Sequence, residues 1–253
     1  MHDPECGSLT VESRRNFFRS AVGAVSFGVA AGEVARTADP PPTADDLVQP
    51  LTKAARDALS PDDVIARVKA GNERFRTGKK QHRDVLMEMQ KTAGGQWPEA
   101  VVLGCIDSRA PAEIVFDQGL GDIFNCRVAG NVESADMLGS MEFATKLSGA
   151  KVVVVLGHSA CGAVKGAIAG AELGNLTQLL AKIRPAVAQT TFAGKRTADN
   201  PEFVDAVARK SVELTIGRIR KDSAVISDLE KSGAVKVVGC FYHLSTGKIE
   251  FLG

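Results

Sequence analysis

The chain has 253 residues, enough for one large domain or two small ones. Hydrophobic residues make up 44% and charged residues 24%, the balance of a globular protein with a substantial core. A formal charge of +1 and an aromatic content of 5% give no electrostatic or stacking reason to expect a nucleic-acid partner.

In chain order, the first feature is Ser13-Arg14-Arg15-Asn16-Phe17-Phe18-Arg19, a twin-arginine pattern followed by a mild apolar stretch from Ala21 to Ala31. That stretch is shorter than the roughly 20 residues of a membrane span, so no stable span is expected. Twin-arginine signals are addresses read by a receptor, not anchors. Residues 1–37 therefore read as an export signal and the protein as periplasmic; the competing reading is the basic start of an amphipathic helix. Residues 38–59, with Pro40-Pro41-Pro42, form a stiff linker and N-terminal arm, and 60–253 form the functional domain.

Ser60-Pro61-Asp62-Asp63 writes a helix start: a cap, a proline at the first helical position, and acids that complement the helix dipole. Val64, Ile65, Val68 and Phe75 give its apolar face, Gly78 its stop, and the helix is expected outside the central sheet. Four runs read as buried strands: 100–103, 123–128, 151–156 and 235–240. Helical patterns fall at 137–147 (stopped by Gly149), from Asn175 towards Pro185, and at 203–231 (stopped by Gly233). The end predicts a strand, a turn at Gly247 and a last strand returning antiparallel. The fold class is α/β: a mostly parallel central sheet of about four strands plus an antiparallel C-terminal edge strand, with helices on both faces.

The chemistry sits just after two of these strands. Cys105-Ile106-Asp107-Ser108-Arg109 follows the first, and His158-Ser159-Ala160-Cys161 follows the third. In an open α/β sheet both segments emerge on the same rim, where ligands collect. Two thiolates and one imidazole are three ligands for a zinc ion with a fourth position open, a catalytic count. The five cysteines, in an exported protein, also allow disulfides; a domain of this size has no need of them. Asp107 is near enough to accept a hydrogen bond from a zinc-bound hydroxide, or to bind zinc itself as a fourth ligand in a closed state. Arg109 can hold Asp107 in a bidentate pair and keep it ionised. The plainer alternative is that both residues cap a helix starting near Pro111. Cys126 and Cys240 read as inert core cysteines, and Gly130-Asn131 as a tight turn, not a phosphate cradle.

These segments, with Arg127-Val128-Ala129-Gly130-Asn131 and the ending from Phe241 to Leu252, resemble the β-class carbonic anhydrases over roughly residues 60–253. The resemblance implies zinc held by Cys105, His158 and Cys161, with Asp107 and Arg109 as the catalytic dyad. The implied reaction interconverts carbon dioxide and bicarbonate, and the implied assembly is a homodimer or larger even oligomer in which the helix from Pro61 packs on a partner. Gln96, nine residues before Cys105, matches a donor to substrate oxygen, and Phe124, Ala129 and Phe143 match an apolar pocket wall. For those three, plain core packing is an equal alternative. Ile106 stands where serine is commoner, Phe143 where tyrosine is, and Val102 where members with a bicarbonate regulatory site carry tryptophan. Two further functions share the same site: hydrolysis of carbonyl sulfide or carbon disulfide, and a non-catalytic zinc module.

Overall fold

In the computed structural model, which describes residues 47–252, five strands form one sheet in the order β2-β1-β3-β4-β5. The strands are β1 (Ala100–Gly104), β2 (Ile123–Arg127), β3 (Val152–His158), β4 (Lys236–Tyr242) and β5 (Ile249–Leu252). The first four are parallel, and β5 returns antiparallel on β4. This matches the fold class read from the sequence. The twin-arginine segment lies outside the described residues.

Buried β-branched residues explain the sheet. Every residue of β1 and β3 is buried, as parallel strands covered on both faces must be. Alternate side chains divide between two cores. Val102, Val152 and Val154 face Val64 and Val68 of α2 (Pro61–Thr77) and Val115 of α4 (Ala112–Val115). Val101, Leu103, Val153 and Val155 face Met141 of α5 (Ala135–Glu142), Ile219 of α9 (Pro201–Asp222) and Ile226 of α10 (Ala224–Lys231). A third cluster, with Leu180, Ile183, Phe203, Val207 and Phe241, lies around Cys105 and Cys161.

The α2 start is as its sequence predicts. Ser60 accepts from Asp63 N–H, Asp63 reaches back to Ser60 N–H, and Gly78 ends the helix at φ 71°. Its placement corrects the expectation of a partner-facing helix. Val64 and Val68 are buried in this chain's own core, so that face is not free for a second copy.

Several helices differ from the reading. The stretch 203–231 is two helices, because Ser223 breaks it with extended backbone. Its hydroxyl accepts from Ile226 N–H and donates to Glu142, a local competitor to helix continuation. The stretch from Asn175 is likewise two, α7 (Gly174–Ala181) and α8 (Arg184–Gln189). The 137–147 pattern ends as a π-helical turn, Phe143–Leu147. Three helices went unforeseen: α1 (Lys53–Asp57), α3 (Val85–Thr92) and α6 (Gly162–Ile168).

Candidate metal centre

The chain proceeds from β1 outward to β2 and then returns to place β3 on the other side of β1. That reversal opens a crevice at the carboxyl ends of β1 and β3, the usual place for a ligand in such a sheet. Gly104 stands opposite Leu156, so Cys105 emerges one step beyond this pair and His158 two steps beyond it. Cys161 follows at the mouth of α6.

The ligand atoms of Cys105, His158 and Cys161 all lie within 4.8 Å of one another, and all three residues are buried. Tetrahedral zinc needs sulfur and nitrogen donors roughly 3.5 Å apart, given bonds of about 2.0–2.3 Å. His158 supplies the sharpest test of fit. Its Nδ1 lies 2.9 Å from Ser159 O; a carbonyl only accepts, so Nδ1 carries the proton. Nε2 is the ring nitrogen left over, buried and without a geometric hydrogen-bond partner. A histidine held by a carbonyl on one nitrogen and open on the other is the arrangement of a metal ligand.

The sulfurs are prepared in the same way. The neighbouring Cys161 thiol pulls the Cys105 thiol well below its ordinary range, and His158 and the N–H groups of Gly130 and Asp107 add to the effect. The same contact, together with burial, pushes the Cys161 thiol up. Gly130 N–H donates to Cys105 Sγ at 3.3 Å. Gly130 sits at φ 71°, and a Cβ there would meet Ile183 Cδ1 at 2.5 Å, so only glycine brings this N–H to the sulfur. Burial pulls the His158 imidazole down, but the Cys105 thiolate outweighs it and leaves His158 raised. A bound dication would favour the thiolate form of both sulfurs.

Asp107 and Arg109 stand at the edge of this cluster. Asp107 Oδ1 accepts from Arg109 N–H at 2.9 Å and Nε at 3.0 Å, and Oδ2 accepts from Nη2 at 2.8 Å. The guanidinium holds the Asp107 carboxyl well below the usual carboxylate range. Asp107 Oδ2 is 3.9 Å from His158 Nε2. Both Asp107 oxygens thus accept from Arg109 at the edge of the cluster, the arrangement of a charge partner held in place. The alternative capping role does not materialise, because α4 has Pro111 at its cap and no side-chain cap bond.

Two supports escaped the sequence reading. Arg127 donates through Nε to Cys105 O at 2.8 Å and through Nη2 to Asp107 O at 2.6 Å, clamping the backbone of the ligand loop. It lies in the Arg127–Asn131 segment, whose arginine was the available signal. Asp205, on α9, accepts from Ala160 N–H; nothing near it in sequence marks it.

The pocket residues divide. Ala129 precedes Gly130 and therefore borders Cys105. Gln96 is exposed and precedes β1, whereas Cys105 follows it, so the strand alone separates them by roughly 16 Å at 3.3 Å per residue. Phe124 stands opposite Val101, four residues before Cys105, roughly 13 Å along the strand. Phe143 packs edge-to-face on Phe124, centroids 6.2 Å apart, and is 52% exposed. Within one chain, then, Gln96, Phe124 and Phe143 lie away from the metal cluster, because a strand start and a strand end are opposite rims of the sheet.

An α/β sheet with a Cys-His-Cys cluster able to hold a metal at its switch point, and an Asp–Arg pair beside it, defines a class of enzyme. Residues 100–249 match the family model described as carbonic anhydrase. The chain is 39% identical to carbonic anhydrase 2 of Mycobacterium tuberculosis over 183 residues, covering 72% of this chain and 87% of that one. It is 35% identical to a carbonic anhydrase of Mycolicibacterium smegmatis over 189 residues, covering 72% and 89%. A solved structure described as one of two tetrameric β-carbonic anhydrases from Sordaria macrospora superposes with a TM-score of 0.59 at 26% identity, covering 75% of this chain and 94% of that one. The chain belongs to the carbonic anhydrase family, and its fold is that of the β class.

Proposed function

We propose that the protein is a zinc carbonic anhydrase that interconverts carbon dioxide and bicarbonate at the Cys105–His158–Cys161 centre. The observation that carries this reading is the partnerless, buried Nε2 of His158, gathered with two sulfurs and bordered by a carboxylate that Arg109 keeps ionised. Zinc, when bound there, supplies a Lewis acid that makes water ionise far more readily than in bulk. Asp107 is the acceptor next to the open side of the cluster and holds a proton donor in one orientation. Arg109 keeps that acceptor aimed and charged. Arg127 fixes the loop that carries Cys105 and Asp107. A purely structural zinc site needs a fourth protein ligand, and the nearest one, Asp107, is engaged by Arg109 on both oxygens.

The assembly belongs to the same proposal. Gln96, Phe124 and Phe143 serve substrate only if a second copy brings them to the centre, so the working unit is a homodimer or larger even oligomer. Export by the twin-arginine route to the periplasm is supported by Arg14-Arg15 and the apolar stretch after them. Among the described residues no helix is long and apolar enough to cross a membrane.

Stopped-flow hydration of carbon dioxide by zinc-loaded protein is the test. Rapid hydration that is abolished by His158→Ala, together with loss of zinc, is expected. Stoichiometric zinc with neither hydration nor hydrolysis of carbonyl sulfide would sink the enzymatic reading, and hydrolysis of carbonyl sulfide alone would replace the substrate.

A further inference from the structure

The segment from His158 to Cys161 must turn the chain from the end of β3 into the start of α6 while aiming both ligand atoms at one point. The turn is made by Ala160, at φ 54°. This left-handed conformation is ordinary for glycine and unfavourable for alanine, whose Cβ crowds its own carbonyl. A non-glycine residue persists there only when its surroundings over-determine it, and such strain collects at functional sites. The flanking Ser159 is tied to the sheet: its N–H donates to Tyr242 O at 2.9 Å, and its hydroxyl accepts from Leu244 N–H at 3.0 Å. Ala160 itself has a different tie. Its N–H donates to Asp205 Oδ1 at 3.0 Å, across 45 positions of sequence.

Asp205 reaches Ala160 because α9 packs closely on the sheet at two glycines. A Cβ at Gly157 would stand 2.6 Å from Val212 Cγ2, and one at Gly239 would stand 2.9 Å from Val212 Cγ1. The glycines of β3 and β4 thus admit α9 to the sheet surface, and α9 carries Asp205 to the ligand loop about two turns before Val212. The apolar residues Phe203, Val204, Val207 and Ala208 fix the rotation of this part of the helix in the cluster that also holds Cys161.

We infer that Asp205 is a positioning residue for the metal centre: its carboxylate holds Ala160 in the left-handed turn that converges His158 and Cys161. The inference rests on the zinc reading above but concerns a residue that touches neither metal nor substrate. A ligand loop held ready binds metal without first adopting a disfavoured conformation; a loop without its tie relaxes and spreads the ligands. Partners that orient ligands typically govern metal affinity by about 10–100-fold.

The test is zinc affinity by competition with a chromophoric chelator, with absorption spectra of the cobalt-substituted proteins alongside. Asp205→Ala should bind zinc about 10–100-fold more weakly and shift the cobalt ligand-field bands. Asp205→Asn keeps an oxygen acceptor and should stay close to wild type. Ala160→Gly combined with Asp205→Ala should recover much of the lost affinity, because glycine takes the turn unaided. A general structural role for Asp205 predicts no such recovery. Wild-type affinity and spectrum in Asp205→Ala would overturn the inference, as would an equal loss in Asp205→Asn. If Asp205→Ala does not fold, the double variant decides: restored zinc binding supports the inference and continued failure overturns it. Wild-type protein that binds no zinc would instead defeat the reading on which the inference rests.

Discussion

Arg109 hydrogen-bonds nothing but Asp107 among the described residues, yet it sets both the aim and the charge of that carboxylate. Arg109→Ala should therefore keep zinc while losing about 10²–10³-fold in turnover, the usual scale for removing a preorganised electrostatic group. Near-normal turnover would count against the dyad. The pH dependence separates the residues further. Because the folded-state pKa of Asp107 is depressed, chiefly by Arg109, its ionised form is present above the ordinary carboxylate range and well below it. Asp107 thus causes no loss of wild-type activity in mildly acid solution. The wild-type rate should instead climb through the mildly alkaline range, since two thiolates neutralise the dication and weaken it as a Lewis acid. In Arg109→Ala an added acid limb should appear as the Asp107 carboxyl moves back up. Rates against pH for both proteins check this, and a flat wild-type profile would refute the electronic argument. At this scale the sequence was informative where chemistry is local: ligands and dyad lie in two short segments at strand ends. Arg127 and Asp205 were less legible because their work is done across 20 and 45 positions, by contacts that only the packed fold creates.

The position of α9 against β3 and β4 depends on two glycines, and the dependence can be measured. Gly157→Ala forces a Cβ to within 2.6 Å of Val212 in a fully buried layer. Overpacking of this kind costs about 1–3 kcal/mol, so the denaturation midpoint should fall. Zinc affinity should fall too, because His158 is the next residue. Gly217 lies on the same helix, where an added Cβ would meet nothing within 4 Å and φ is not positive. Gly217→Ala should therefore be neutral or stabilising by up to about 1 kcal/mol through helix propensity. Equal effects at the two sites in urea unfolding would show that close approach is not the cause. The strands of this layer were readable because runs such as Val152–Leu156 have no other good home than a doubly covered sheet. Helix boundaries were not, since Ser223 fits an amphipathic helix by pattern and breaks it only by capping α10 and bonding Glu142. The short α3 and α6 carry too few turns for a periodicity to stand out.

A single chain leaves Leu86 and Met89 of α3 and Leu147 beyond α5 exposed, at 68%, 51% and 76%. Leu86 and Met89, three positions apart, share one face of α3, whereas the face of α2 first expected to serve is already buried inside the chain; the assembly proposed above would cover such apolar surface. Light scattering at micromolar concentration should therefore show a dimer or a tetramer, and a monomer would contradict the assembly. Mixed oligomers give the stronger test, because Gln96 and Phe124 lie on the opposite rim from their own metal cluster. Suppose each active site combines Asp107 and Arg109 of one copy with Gln96 of another. Arg109→Ala and Gln96→Ala homodimers are then defective in both sites. In a mixed dimer, one site inherits both defects and the other has Arg109 from one chain and Gln96 from the other, wild type throughout. Unfolding and refolding the two variants together should restore hydration well above either alone, with zinc content unchanged. If Gln96 acted within its own chain, every site in the mixture would keep one defect and no recovery would follow. Absence of complementation in demonstrably mixed oligomers would thus defeat the shared-site reading while leaving the metal centre intact.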